Sequence, residues 1–570
     1  MTYPYTIKIG GEAGFGIMSA GSAVAKIATR SGYQLFSYAE YPSIIRGGHN
    51  VVQITLAPEP VYAQYQPTQV LVAFNQETID LHQHELIEGS VVIFDEDKGM
   101  RLPTVSVDVI GVHVPFNALA TTFGGSTLMR NTVALGALMA LVDGDLSLLF
   151  ALIEEEFGKK SERIARANQS CAQAGYDHIK TNYPQSCQAV LAPRPVEVPP
   201  MVLTANEAIA LGAIAAGMQF SAIYPMTPTS NILHTLAPFQ DKYNYIYKQP
   251  EDEISAINMA LGAAHAGARA MVATAGGGFN LMAEGYGLAG ITELPIVIIV
   301  GMRGGPATGL PTWTEQADLR FVLHASQGDF PRIVLAAGDA QEAFDQTMLA
   351  FNLADTYQTP VVVLVDKHIC ECLISLPPFD VSAYMIDRGK LTFDQVDGFA
   401  RYTPGEDGVS LRSVPGSGNH FIANSDEHNE HGYSSESATN RVDQMNKRMS
   451  KLALCAANDM PQPQLFGPSA APITIVSWGS NKGAILEAMR QLPQVNFMHL
   501  TWMNPFPAQA VQAMLEKANY LVCIENSYSA QLRGLIREQT GILILDTLQK
   551  YDGRPFYPEE IIAKINSIGI

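Results

Sequence analysis

The sequence predicts an α/β chain of three domains, the central one built on a doubly wound parallel sheet. β-rich runs alternate with helical patterns of about 10 to 15 residues, which is the rhythm of strand, crossover helix and parallel strand. A proline-rich break interrupts that rhythm near residue 190, and it fades again from 376 to 470 before resuming. Length agrees: 570 residues make three to four domains at roughly 150 residues each.

Taken in order, 5–9, 51–56, 70–74 and 91–94 read as strands, and 17–30 and 130–141 as helices, giving a first domain over 1–190. The stretch CQAVLAPRPVEVPP holds four prolines, so 191–200 reads as an extended linker. From 201 to 375 the candidate strands are 220–224, 270–274, 296–300, 333–336 and 361–365. Residues 376–470, polar above all from Pro404 to Asn440, read as a long connection with one helix near its end. The runs ITIVSW, VNFMHL, YLVCIE and ILILD then open a smaller domain over 471–570.

Composition excludes several classes of function. Apolar residues make up 47% and charged residues 16%, as in ordinary globular domains. A net charge of −19 repels phosphate backbones and anionic membranes, so neither nucleic acid nor membrane is an expected partner. No apolar run approaches the roughly 18 residues of a membrane span, and the start MTYPYTIKIGGEAG has no secretory pattern. A cytoplasmic location is expected. Six scattered cysteines without a C-x-x-C argue against a disulfide framework and against a cluster or zinc site built by this chain alone, so no metal is assigned to it.

Gly10, Gly11, Gly14 and Gly16 crowd the first strand-to-helix turn, where a backbone can approach a phosphate-bearing ligand. The order is not G-x-G-x-x-G and no P-loop lysine follows. A tight packing turn reads equally well.

In the central domain, Tyr224-Pro225-Met226-Thr227-Pro228-Thr229-Ser230 joins a strand to a helical pattern. Thr227 before Pro228 reads as a helix N-cap, and the junction either binds an anion or simply caps. Two strands later comes a glycine-rich loop with one arginine, Arg303, and then Thr312. A guanidinium there either holds a carboxylate bidentately on the same rim or forms a structural ion pair. Glu251, Asp252 and Glu253 precede a helix of small residues. They are good helix-opening charges, and one of them facing an apolar partner would have a raised pKa fit for proton exchange. The stretch Asp426 to His431 holds acids and two histidines and reads as a solvated polar loop rather than a metal site.

Taken together, YPMTPTS, EDEISAINMALGAAHAGA, ATAGGGFNLMAEGYGLAGITELPIVI and RGGPATGLPTWTEQADL closely resemble the α subunit of the 2-oxoacid:ferredoxin oxidoreductases. The first 190 residues, with IRGGHN, look like the family's γ domain fused ahead of α. NPFP, IENSYSAQL and YDGRPF resemble its transketolase C-terminal-like domain. The resemblance implies a pyrimidine-binding domain over 201–375 and a thiamine diphosphate enzyme that oxidatively decarboxylates a 2-oxoacid to an acyl-coenzyme A. Electrons pass through iron-sulfur chemistry to ferredoxin. It further implies a β subunit carrying Mg2+, the diphosphate site and a four-iron cluster, and a dimer of αβ heterodimers.

By the same resemblance Glu253 matches the glutamate that hydrogen-bonds the aminopyrimidine nitrogen, with Tyr224 and Pro225 beside the cofactor. Thr227, Arg303 and Thr312 match positions that hold the substrate, and Gly11, Gly14, Gly16 and Arg46 are candidates for coenzyme A. Two departures stand out. Gly277-Gly278 replaces an expected Pro-Gly, and Trp313 occupies a place where a cation often follows Pro-Thr. The fused order favours 2-oxoglutarate, converted to succinyl-coenzyme A, with pyruvate or another 2-oxoacid as alternative. A non-catalytic binding or scaffolding subunit is the alternative of another class.

Overall fold

The computed structural model describes residues 4–44, 47–405 and 407–569, and its chain divides into two compact units. The first comprises Met1–Leu203, Cys372–Pro378 and Tyr557–Glu560. Its eight-stranded sheet runs Val109–His113, Leu86–Phe94, Thr68–Ala73, Tyr5–Glu12, His49–Ala57, Gln34–Glu40, Leu373–Leu376, Met201–Leu203. The first four strands are parallel and the rest antiparallel. Ile7, Ile9, Val70, Val72, Val91 and Ile93 are buried with Val24 and Leu138 of the helices Ile17–Arg30 and Arg130–Leu141. Alternation along each strand sends these residues to the helical face.

The second unit comprises Thr204–Glu371, Phe379–Phe556 and Ile561–Ile570. Its seven-stranded sheet runs Ile246–Lys248, Phe220–Ala222, Ala270–Ala275, Ile296–Met302, Pro360–Asp366, Ile333–Ala336, Trp502–Asn504. All pairings are parallel except the last, where Trp502–Asn504 caps the edge. The near-continuous apolar strands VIIV and VVVLV are what burial on both faces demands. After Phe220–Ala222 the chain adds Ile246–Lys248 on one side, then returns to place Ala270–Ala275 on the other. That reversal is a topological switch point, and in open α/β sheets the crevice outside the strands' carboxyl ends there is where ligands bind.

A five-stranded sheet completes this unit. Its order is Gln464–Phe466, Val495–Leu500, Ile473–Trp478, Tyr520–Glu525, Asp546–Gln549, parallel but for the first pairing.

The long connection is more deeply buried in places than its polar composition suggests. The helix Ala438–Asn458 lies near its end, but Arg401, Arg412 and His428 are buried. Asp355 accepts from Arg412 at 2.6 Å, Arg388 at 2.8 Å and Arg269 at 2.9 Å. The fully buried Glu293 meets Lys447 at 2.6 Å and Lys451 at 2.5 Å. Burial alone would raise its carboxyl, yet these two ammonium groups and Arg401 hold it well below the usual range. Glu427 takes two bonds from Arg448, at 3.0 and 2.7 Å. His428 bonds the Asp426 carbonyl at 2.9 Å and lies against the Tyr402 ring. Asp426, Glu430 and His431 of that stretch are exposed, the last two with side chains 3.7 Å apart. Charge pairing, which composition does not report, lets this segment go inside.

Among the described residues no helix is long and apolar enough to cross a membrane.

Candidate active site

Four segments meet at the switch-point crevice, and each is placed by a local rule. The helix Glu253–His265 opens with three acids that the fold separates. Glu251 accepts from the Ser255 hydroxyl at 2.8 Å. Asp252 is the N-cap, accepting from the Ser255 N–H at 2.7 Å. Glu253, the first helical residue, is only 2% exposed. Its Oε1 is buried without a hydrogen-bond partner. Burial raises its carboxyl above the usual range and the Asp252 charge adds to this, while a backbone N–H opposes both. A buried carboxyl oxygen with no protein partner is a group prepared for a ligand.

The strand Ala270–Ala275 hands over to the helix Gly276–Thr292 through three glycines. A Cβ on Gly278 would lie 2.5 Å from Glu253 Oε1 and would overlap the Thr274 hydroxyl. A Cβ on Gly276 would lie 2.7 Å from the Asp318 carboxyl carbon, whereas Gly277 faces nearly open space. Two carboxyl groups thus flank the first turn of this helix, which explains why Gly276 and Gly278 lack side chains. Gly278→Ala should destabilise the fold by about 1–3 kcal/mol through overpacking, readable as a lowered Tm beside an unchanged Gly277→Ala control.

The loop after Phe220–Ala222 carries Tyr224, Pro225, Met226 and Thr227, all half-buried. Here the expected cap is corrected. The helix is Ser230–Leu236 with Thr229 at its N-cap position, and neither Thr229 nor Thr227 caps it through a side chain. A turn intervenes, the Thr229 N–H donating to the Met226 carbonyl at 2.9 Å. The Thr227–Pro228 bond is cis. Gly301 leaves room for Pro228 and Thr229, since a Cβ there would come within 2.6 Å of Thr229.

Arg303 leaves the end of Ile296–Met302 and donates from Nη1 to the Thr227 carbonyl at 2.7 Å. No carboxylate pairs with it among the described residues, so the structural ion pair is not formed. Burial lowers its guanidinium pKa, and the charge of Asp318 opposes that. From Thr312 to Gln316 burial alternates: Thr312, Thr314 and Gln316 point in, Trp313 and Glu315 half out. The inward row is held by the C-terminal sheet, with Gln316 bonding the Trp478 carbonyl at 3.0 Å and Asn481 at 2.8 Å. This leaves the Thr312 hydroxyl buried and unpartnered.

Glu253 at a helix start and Thr227, Arg303 and Thr312 on loops therefore stand on segments near the switch point, Thr227 and Arg303 in direct contact. Asp318, Glu315 and Gly278 belong there too, although nothing in their spacing distinguishes them. Burial pushes Glu315 up to about 7, helped by Asp318, and Asp318 up to about 6 against the pull of Arg303.

Gly11, Gly14 and Gly16 lie in the other unit. Gly14 and Gly16 have φ of 91° and 74°, which glycine adopts readily. Gly11 packs against Phe74, and the Arg130 guanidinium lies 4.3 Å from the Phe15 ring centroid. Arg46 lies outside the described residues.

Residues 211–450 match the family model for the pyruvate flavodoxin/ferredoxin oxidoreductase thiamine diphosphate-binding region. Residues 6–178 match that of the pyruvate ferredoxin/flavodoxin oxidoreductases. The chain is 32% identical to the 2-oxoacid:ferredoxin oxidoreductase subunit alpha of Saccharolobus solfataricus, over 98% of this chain and 97% of that one. It is 30% identical to the 2-oxoglutarate oxidoreductase subunit KorA of Mycobacterium tuberculosis, over 88% and 82%. Among solved structures it is similar to a chain of the 2-oxoglutarate:ferredoxin oxidoreductase from Magnetococcus marinus with 2-oxoglutarate, coenzyme A and succinyl-CoA bound. That match has a TM-score of 0.91 and 29% identity and covers 99% of both chains.

Proposed function

Because the chain belongs to the family of 2-oxoacid:ferredoxin oxidoreductase α subunits, we propose that its own reaction is the coenzyme A-dependent oxidative decarboxylation of 2-oxoglutarate to succinyl-CoA, with ferredoxin as acceptor. The observation that carries this reading is the crevice itself. One unpartnered buried carboxyl oxygen, one guanidinium that forms no close ion pair among the described residues and one buried free hydroxyl stand on segments at a switch point. The solved relative with 2-oxoglutarate bound and the 2-oxoglutarate-named relative support the choice of substrate.

Glu253 fits the pyrimidine ring of thiamine diphosphate, because its buried Oε1 has no protein partner and can exchange a hydrogen bond with a ring nitrogen. Tyr224 and Pro225, half-buried on the loop after Phe220–Ala222, are assigned beside the cofactor by the family resemblance. Thiamine diphosphate, when bound, supplies the nucleophilic carbon and the electron sink that decarboxylation of a 2-oxoacid requires. This chain's residues orient the reactants: Glu253 holds or moves a proton at the ring nitrogen, Arg303 grips the substrate carboxylate as a fork, and Thr227 and Thr312 line the keto group. A β subunit brings Mg2+, the diphosphate site and the four-iron cluster, in a dimer of αβ heterodimers. Coenzyme A is assigned to the turn of Gly11, Gly14 and Gly16. In this reading 1–190 is the γ domain, 201–375 the pyrimidine-binding domain and 471–570 the transketolase C-terminal-like domain, with the chain working in the cytoplasm.

Co-purification with its partner subunit, followed by comparison of 2-oxoglutarate, pyruvate and 2-oxobutyrate at fixed coenzyme A and acceptor, tests the reading. A preference for pyruvate would replace the substrate, and no turnover with any oxoacid would remove the function.

The carboxyls beside Arg303 add a pH dependence. Both have folded pKa values above the unfolded range near 4, so the stability they contribute is full in acid and is lost as pH rises through 6 and then 7. Their ionisation also places negative charge beside an anion site. The KM for the oxoacid should therefore rise severalfold between pH 6 and 8, and Glu315→Gln should flatten the upper part of that rise.

A further inference from the structure

A second guanidinium stands beside the Arg303 loop. Arg554 lies on the Trp313 indole, its Cζ 3.5 Å from the ring centroid. The loop that carries it is pinned on three sides. The Thr314 N–H donates to the Gly553 carbonyl at 3.0 Å, and Asn526 donates to the carbonyls of Lys550 and Arg554, both at 3.0 Å. Gly553 has a φ of 84°, and a Cβ there would lie 2.9 Å from Trp313 Cβ, so the close approach requires glycine. Trp313 directly follows Thr312, and its carbonyl accepts from the N–H of Gly304, the residue after Arg303, at 3.3 Å. Arg554 is thereby stacked on the residue that links Thr312 to the Arg303 strand end.

This guanidinium is fixed but uncommitted. Nη1 donates to the Asp552 carbonyl at 3.0 Å. Among the described residues no other hydrogen bond and no ion pair engages it. Stacking occupies the face of the group and leaves its N–H edge open, and a half-buried position weakens solvent screening. A planar fork held in place loses little freedom when it closes on a carboxylate, so it discriminates better than a loose lysine would.

We propose that Arg554 binds the distal carboxylate of a dicarboxylic 2-oxoacid and sets the preference for it over monocarboxylic ones. The inference rests on the 2-oxoglutarate reading. Trp313, which stands where a basic side chain would have served, becomes the platform for a cation delivered from the C-terminal segment. The site thus has a guanidinium for each end of the substrate: Arg303 for the carboxylate beside the keto group, Arg554 for the far one.

The test is Arg554→Gln in the co-purified complex, with kcat/KM measured for 2-oxoglutarate, pyruvate and 2-oxobutyrate. Loss of one charge-assisted pair predicts a fall of roughly 10- to 100-fold for 2-oxoglutarate, carried mainly by KM. Turnover of the two monocarboxylates should stay within about twofold and serves as the internal control for folding. Arg554→Lys should restore part of the preference. Calorimetric titration with glutarate, which has both carboxylates but no keto group, should show the same loss of affinity without turnover. Equal losses on all three oxoacids, or an unchanged preference, would overturn the assignment of Arg554 alone. A wild-type complex with no preference for the dicarboxylate would overturn the substrate reading and the assignment together.

Discussion

Glu253→Gln in the assembled enzyme is expected to lose roughly 10²- to 10⁴-fold in turnover, the scale of a positioned general acid or base. Assembly and Tm should stay at wild-type values. The separation of these two readouts follows from the geometry. Glu253 Oε1 has no protein partner to lose, and glutamine has the same shape, so the substitution breaks no contact that holds the helix Glu253–His265. It also removes a carboxyl that burial disfavours in its charged form, which leaves stability unchanged or slightly raised. What glutamine cannot do is exchange a proton. Steady-state turnover with 2-oxoacid, coenzyme A and an artificial acceptor, set beside a thermal melt of the same preparation, reads both. Retained turnover would take Glu253 out of the chemistry, whatever its burial.

Arg303→Ala should reduce kcat/KM for the oxoacid by roughly 10²- to 10³-fold, mostly through KM, since a bidentate charge-assisted pair is lost from a half-buried site. Arg303→Lys should fall between, keeping the charge and losing the fork. The folded state has little to lose, because the guanidinium's bond is to the Thr227 carbonyl and no carboxylate depends on it for an ion pair. Asp318 supplies a second readout. The Arg303 charge lowers its pKa, so without Arg303 the Asp318 carboxyl should titrate above about 6, and the pH at which KM turns upward should move to higher values. Initial rates across pH 5.5 to 8.5 distinguish this from misfolding, which would scale every point alike.

Much of the fold is written locally, and the exceptions are instructive. Short β-branched apolar runs such as VIIV, set between helical patterns, point to buried parallel strands, and small residues along 253–265 announce close helix packing, shown by Ile257 against Gly285. The three acids before that helix look equivalent in sequence. Only the tertiary structure separates a surface hydrogen bond, a cap and a buried carboxyl. Thr227 resembles a cap because Thr-Pro usually opens a helix, but the Met226–Thr229 turn moves the start two residues on. Arg554 lies more than two hundred residues from Trp313 in sequence, and no periodicity signals a stack between them.

The connection between the two sheets of the larger unit has a consequence for engineering. Asp355 is shared by three arginines drawn from distant positions, and Glu293 by two lysines of the helix Ala438–Asn458. A segment so sparse in regular structure invites trimming or insertion, yet shortening it would leave the buried carboxylates of Glu293 and Asp355 short of their counter-charges. It behaves as a keystone rather than a tether, and a minimal version of the protein would have to keep it whole.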